Sequence, residues 1–113
     1  MVRPTQFSIE QSAGGDGRCK LAIAGELDIS SSSQVEDEVN RALADGATSV
    51  EIHLSDVSFI DSTGLRTFLQ LNQRAESDGW RLRLASLSEP VTTLLEVTGL
   101  GEELSITDDD ASS

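Results

Sequence analysis

The Asp-Ser pair at positions 61 and 62 is where side-chain chemistry is most readily built in this 113-residue chain. It follows an apolar strand tail, Val57-Ser58-Phe59-Ile60, and precedes Thr63-Gly64-Leu65, where helical periodicity begins. Ser62 is thereby expected at an exposed helix N-terminus, beside four backbone N–H groups without helical partners and the positive end of the helix dipole. Such a corner accepts a phosphate on the hydroxyl. The same serine can also serve simply as a helix cap, contributing about 1 kcal/mol. Nucleophilic catalysis lacks its parts. No Gly-x-Ser-x-Gly elbow surrounds Ser62, and the single histidine, His53, falls between Ile52 and Leu54 and points away from their face. Asp61 as a phospho-acceptor would need a magnesium-binding carboxylate cluster and a lysine. Lys20, the only lysine, lies in the opening hairpin, so Asp61 reads as the turn residue that fixes the helix start.

A second polar stretch combines Asp28 with Ser30, Ser31, Ser32 and Ser33. In an open α/β sheet, loops at the carboxyl ends of parallel strands gather on one edge. This loop and the one after Ile60 are therefore expected to be neighbours. A capping box of Ser33 with Glu36 uses one serine and leaves the others in surplus. One cysteine and one histidine cannot form a usual zinc site, and neither a phosphate loop nor a dinucleotide fingerprint occurs. No cofactor and no metal are expected.

The elements that must hold these residues follow from periodicity. Phe7 to Gln11 and Arg18 to Gly25 alternate, with Cys19, Leu21 and Ile23 on one face, and read as a hairpin around a loose Ala13–Gly17 loop. Val35, Val39, Ala42 and Leu43 mark a helical face, with Glu36, Asp37 and Glu38 assigned to its first turn and Gly46 beyond its end. Val50, Ile52 and Leu54 form the next strand. A second helix spans about Ser62 to Ser77, with Leu65, Phe68, Leu69 and Ala75 inward and Arg66, Gln70, Gln73 and Arg74 outward. Trp80, Leu82 and Leu84 alternate with Arg81 and Arg83 in a further strand, Ser88-Glu89-Pro90 starts a third helix, and Leu104-Ser105-Ile106 is at most a short edge strand. The expected fold is a single α/β domain over residues 1–113, with a core at about 6–107 and an acidic polar tail at 108–113. Its mixed sheet has four to five strands, an N-terminal hairpin followed by parallel strands, with helices mainly on one face.

The net charge of −12, from 20 acids against 8 basic residues, repels nucleic acid and anionic lipid. It fits a basic protein partner, or simple solubility, and a monomer is the expectation. A lone Cys19 allows no internal disulfide, the N-terminus lacks an apolar signal core, and no run reaches the roughly 18 apolar residues of a membrane span. A soluble, cytoplasmic protein is the expectation.

Three segments in order, Gly25-Glu26-Leu27-Asp28, Phe59-Ile60-Asp61-Ser62-Thr63-Gly64-Leu65 and Val97-Thr98-Gly99-Leu100, resemble the STAS domain family over about residues 6–107. Within it the chain is similar to the bacterial anti-sigma factor antagonists. The resemblance implies a non-enzymatic binding module. Its partner would be an anti-sigma factor that is also a GHKL-type serine kinase, which phosphorylates Ser62, with a serine phosphatase restoring the free form. It implies a partner-binding surface of Asp28, Ser30, Ser31, Asp61, Ser62, Thr63, Gly64 and Arg66. Many members carry Ser where this chain has Thr63, which keeps the hydroxyl. The family also contains constitutive scaffolds, in lipid-transport ABC complexes and stressosome-type assemblies, and these are the alternative.

Overall fold

The computed structural model describes residues 7–107, so the 108–113 tail lies outside the described residues. The chain runs β1 (Ser8–Gly15), β2 (Arg18–Leu27), α1 (Ile29–Ala44), β3 (Ser49–Ile60), α2 (Ser62–Asp78), β4 (Arg81–Ala85), α3 (Glu89–Thr98), a 3₁₀ turn at Leu100–Glu103 and β5 (Ile106–Thr107). The strands lie in sequence order in one five-stranded sheet. β1 pairs antiparallel with β2, and every later pair is parallel. This is the mixed α/β sheet expected from the alternation of strands and helices.

The opening hairpin is tighter than the sequence suggested. Only Asp16 and Gly17 separate its strands, with φ of 58° and 79°. Positive φ at both central residues matches the right-handed strand twist, which a loose loop would not.

Alternation in β2 to β4 builds the core. The parallel registers place Cys19, Val50 and Leu82 in one row and Leu21, Ile52 and Leu84 in the next, all buried. α1 adds Val35, Val39 and Ala42, α2 adds Leu65, Phe68, Leu71 and Ala75, and the three helices lie mainly on one side of the sheet. α1 and α2 pack on each other, while α3 rests on β3. Trp80 and Cys19 are buried, as their apolar phase implies, and burial pushes the Cys19 thiol up from its ordinary pKa, with the Glu38 charge adding to the effect.

α2 and α3 start at Ser62 and Glu89 as expected, whereas the start of α1 and the details of the caps differ. α1 begins at Ile29, a turn earlier than a Ser33 cap would place it, because Asp28 is the N-cap and Ser31, not Glu36, completes the capping box. Glu36, Asp37 and Glu38 consequently fall beyond the first turn. Asp61, rather than Ser62, caps α2. Ser88 precedes α3 without a side-chain capping bond, and its hydroxyl is buried without a partner among the described residues.

Candidate functional site

The two aspartates meet at the carboxyl ends of neighbouring strands. Leu27 on β2 pairs with Ile60 on β3, and the Asp61 N–H donates to the Leu27 carbonyl at 3.2 Å. Asp28 and Asp61 thus open two helices side by side, which is the convergence expected of loops after parallel strands.

Each carboxylate is engaged with its own helix. Asp61 Oδ1 accepts from the Thr63 N–H at 3.0 Å and the Gly64 N–H at 3.1 Å. Asp28 Oδ1 accepts from the Ser30 N–H at 3.0 Å and the Ser30 hydroxyl at 2.8 Å. These bonds, led by the Ser30 hydroxyl, hold the Asp28 carboxyl below the usual aspartate range. Ser31 accepts from the Asp28 N–H at 3.0 Å and donates to the Glu26 carbonyl at 2.7 Å, and the Ser32 hydroxyl donates to the Asp28 carbonyl at 2.8 Å.

The surplus serines are therefore divided. Ser30 is exposed, but Ser31 is only 3 % exposed and Ser32 is also buried. Ser31 was expected on the contact surface. It instead clamps the end of β2 to the start of α1, because a capping box needs its hydroxyl turned back on the chain. Gly64 is likewise buried and acts from beneath. A Cβ there would lie 3.0 Å from Ile60 Cγ1 and 3.1 Å from the Leu27 carbonyl oxygen, so only glycine lets α2 approach both strand ends this closely.

What remains outward is Ser62, with Thr63 half-buried and Arg66 exposed. Ser62 is the first helical residue, and its hydroxyl makes no hydrogen bond among the described residues. Arg66 lies four residues on, hence over the same helical face. Since Asp61 already supplies the cap, the Ser62 hydroxyl can be modified without breaking a bond that holds the helix.

Two apolar side chains at this edge escaped the sequence reading. Ile29 is 78 % exposed beside Asp28, and Phe59 is 46 % exposed just before the Ile60-Asp61 step. Phe59 looks outward in the same phase as Glu51 and His53: the β2–β3 register shifts between Ala22 and Ala24 and between Gly25 and Glu26 each give β3 one extra residue, which turns Val57 inward and then restores the alternation that buries Ile60. Phe59 could have been found from its phase, opposite to that of Val50, Ile52 and Leu54, whereas nothing in the sequence marks the two irregularities that turn Val57 inward. Ile29 could have been found: it lies outside the buried stripe of Ser32, Val35, Val39 and Ala42 once α1 is started at Asp28.

His53 and Lys20 lie away from this edge. His53 contacts Glu51 at 3.0 Å and the Ser86 hydroxyl at 3.3 Å, and it lies seven positions before Ile60 along β3, a rise of about 23 Å. Lys20 lies seven residues before Leu27, at the far end of β2. No group of three or more potential metal ligands occurs among the described residues.

Comparison with known proteins identifies the family and the fold. The family model described as "Mlab, STAS domain" matches residues 11–107. The anti-sigma-B factor antagonist of Bacillus subtilis is 35 % identical over 87 residues, covering 77 % of this chain and 79 % of the relative. An anti-sigma factor antagonist from Mycobacterium paratuberculosis superposes with a TM-score of 0.76 at 22 % identity, over 98 % of this chain and 95 % of the other. The Bacillus cell fate determinant SpoIIAA, in its phosphorylated form, gives 0.69 at 19 % identity over 93 % and 96 %. Family match, sequence identity and shared fold all cover the two capped corners described above, and the chain belongs to the STAS domain family.

Proposed function

We propose that this chain is an anti-sigma factor antagonist switched by phosphorylation of Ser62. The carrying observation is the division of labour at the start of α2: Asp61 makes the capping bonds, and the exposed Ser62 hydroxyl makes none among the described residues. In the unmodified state the edge formed by Asp28, Ser30, Asp61, Ser62, Thr63 and Arg66, with Ile29 and Phe59 as apolar anchors, docks on an anti-sigma factor of the GHKL serine-kinase type. Ser31 and Gly64 shape that edge from within. Holding the anti-sigma factor releases the sigma factor for transcription. The kinase then transfers a phosphoryl group to Ser62 and dissociates, and a serine phosphatase resets the cycle. The protein acts by binding in the cytoplasm, as a monomer, and catalyses nothing itself. The relatives' names as anti-sigma factor antagonists and the existence of a phosphorylated structural neighbour support this reading.

The energetics are adequate without refolding. Phosphorylation adds nearly −2 charge. Within the domain the N-terminus of α2 offsets it by about 0.3–1 kcal/mol. At a closed interface the same group is desolvated beside Asp61 and near Asp28, and a penalty of only ~3 kcal/mol lowers affinity more than a hundredfold.

The test is incubation with the cognate kinase and ATP followed by peptide mass spectrometry. A single phosphate on Ser62 is expected, and phosphate elsewhere or nowhere defeats the switch. Ser62→Ala should remain partner-bound in the presence of ATP. The alternative, a constitutive scaffold of a lipid-transport ABC complex or stressosome-type assembly, is in keeping with the Mlab description of the family model. It predicts equal partner affinity whether ATP is present or not.

A further inference from the structure

We propose a second docking site, at the opposite end of the sheet from Ser62: the N-terminal half of the β4 edge accepts an extended partner peptide carrying acidic residues at alternate positions. β5 pairs only with Leu84 and Ala85, because the chain preceding it turns away at Ser105 into the 3₁₀ segment. The edge from Arg81 to Arg83 is left without a neighbouring strand among the described residues. Along β4 the Arg81 N–H donates inward to Thr48 at 3.0 Å, and the Leu84 N–H donates outward to the Ser105 carbonyl at 2.9 Å. Strand geometry alternates, so the Leu82 N–H and C=O also face outward, and neither is paired among the described residues.

That edge borders a cleft of about 320 Å³ between α2 and β4. Its two walls differ. The helix side is lined by Asn72 and Glu76, with Ala75, Trp80 and Leu82 largely buried beneath them. On the other side stand Arg81 and Arg83, exposed and in no ion pair among the described residues. The sheet register extends this side to Arg18 and Lys20, in the rows Arg18–Ser49–Arg81 and Lys20–Glu51–Arg83. Four of the eight basic residues of a chain of net charge −12 are thus gathered on one sheet face.

An added strand satisfies both features at once. Its backbone pairs with Leu82, and its side chains alternate between the two walls. Acids at positions i and i+2 meet Arg81 and Arg83, while the residue between them points to the α2 side of the cleft. Acidic side chains on the inner wall would face Glu76 and are excluded. A second copy of this chain is a poor occupant, because edge-to-edge pairing would set Arg81 and Arg83 against their own like charges. Nucleic acid and anionic membranes offer no strand backbone and meet the repulsion of the remaining surface.

The probe is an acetylated, amidated hexapeptide of alternating Glu and Val, titrated into the ¹⁵N-labelled full chain. Saturable shifts are expected at Leu82, Arg81 and Arg83, with slowed hydrogen exchange at the Leu82 amide and no change at Ser62. Arg81→Glu combined with Arg83→Glu, both exposed and checked for folding by circular dichroism, should weaken binding at least roughly tenfold, about 1.4 kcal/mol. A Lys-Val peptide should not bind. The proposal is overturned by any of four results: no saturable shift up to about 1 mM peptide; shifts confined to Arg18 and Lys20 with Leu82 unmoved; an affinity for single-stranded DNA or anionic vesicles at the same residues equal to that for the peptide; or a Leu82 amide already protected in a self-associated free protein.

Discussion

The Asp28 side chain is the simplest place to test how the functional edge is built. Its carboxyl is held below the ordinary aspartate range chiefly by the Ser30 hydroxyl, with further help from backbone N–H groups. A group whose folded-state pKa is depressed stabilises the fold above its unfolded pKa, and that contribution is lost as pH falls through the folded value. The start of α1 should therefore be indifferent to pH near neutrality and should loosen only in acid, below the normal aspartate titration. Carboxyl-carbon NMR should give a midpoint below 3.8 for Asp28, and Ser30→Ala should move it upward. Asp61→Ala should cost about 1 kcal/mol as a lost cap, read by denaturant unfolding, and should weaken docking as well. Ser62→Ala should leave stability within about 0.5 kcal/mol, since its hydroxyl holds nothing. A large loss of stability in Ser62→Ala would mean that the hydroxyl is structural, and the switch would lose its basis.

Among the elements, α2 carries the switch residue and Gly64 sets its height above the sheet. Gly64→Ala forces a methyl group against Ile60 and the Leu27 carbonyl, which can yield only by moving strand ends. A loss of about 1–2 kcal/mol is expected, visible as a melting shift of several degrees. Because Leu27 also receives the Asp61 N–H, the same variant should reduce partner affinity by displacing both corners together. A variant that binds normally would show that the spacing of α1 and α2 is immaterial. Exposed Phe59 and Ile29 give the complementary case. Phe59→Ala should hardly change stability but should weaken partner binding by roughly tenfold or more, as expected for an aromatic anchor buried at an interface. The existence and type of each long element were legible in hydrophobic period, since Leu21, Ile52 and Phe68 recur at strand or helix spacing. The starts of α2 and α3 were legible too, but that of α1 was not, because several neighbouring Asp and Ser residues could each serve as cap, and only the position of the β2 end selects Asp28 over Ser33.

In the whole molecule, one core couples the sheet to both corners. Phe68→Ala, at the contact of α2 with that core, should cost about 3–5 kcal/mol and abolish binding through unfolding rather than through the edge itself. Its charge distribution is uneven: acids dominate the surface, yet Arg18, Lys20, Arg81 and Arg83 share one face by register. The amino-acid sequence alone determined the α/β alternation, the inward rows of apolar residues and the candidacy of Asp61-Ser62, because period and local chemistry reside in neighbouring residues. It did not determine that Ser31 would turn inward, that Val57 would turn inward at a register shift, or that the outer edge of Arg81–Arg83 would lack a pairing strand among the described residues. Those outcomes depend on which strand ends meet and where pairing stops, and the energies that decide them arise between segments far apart along the chain.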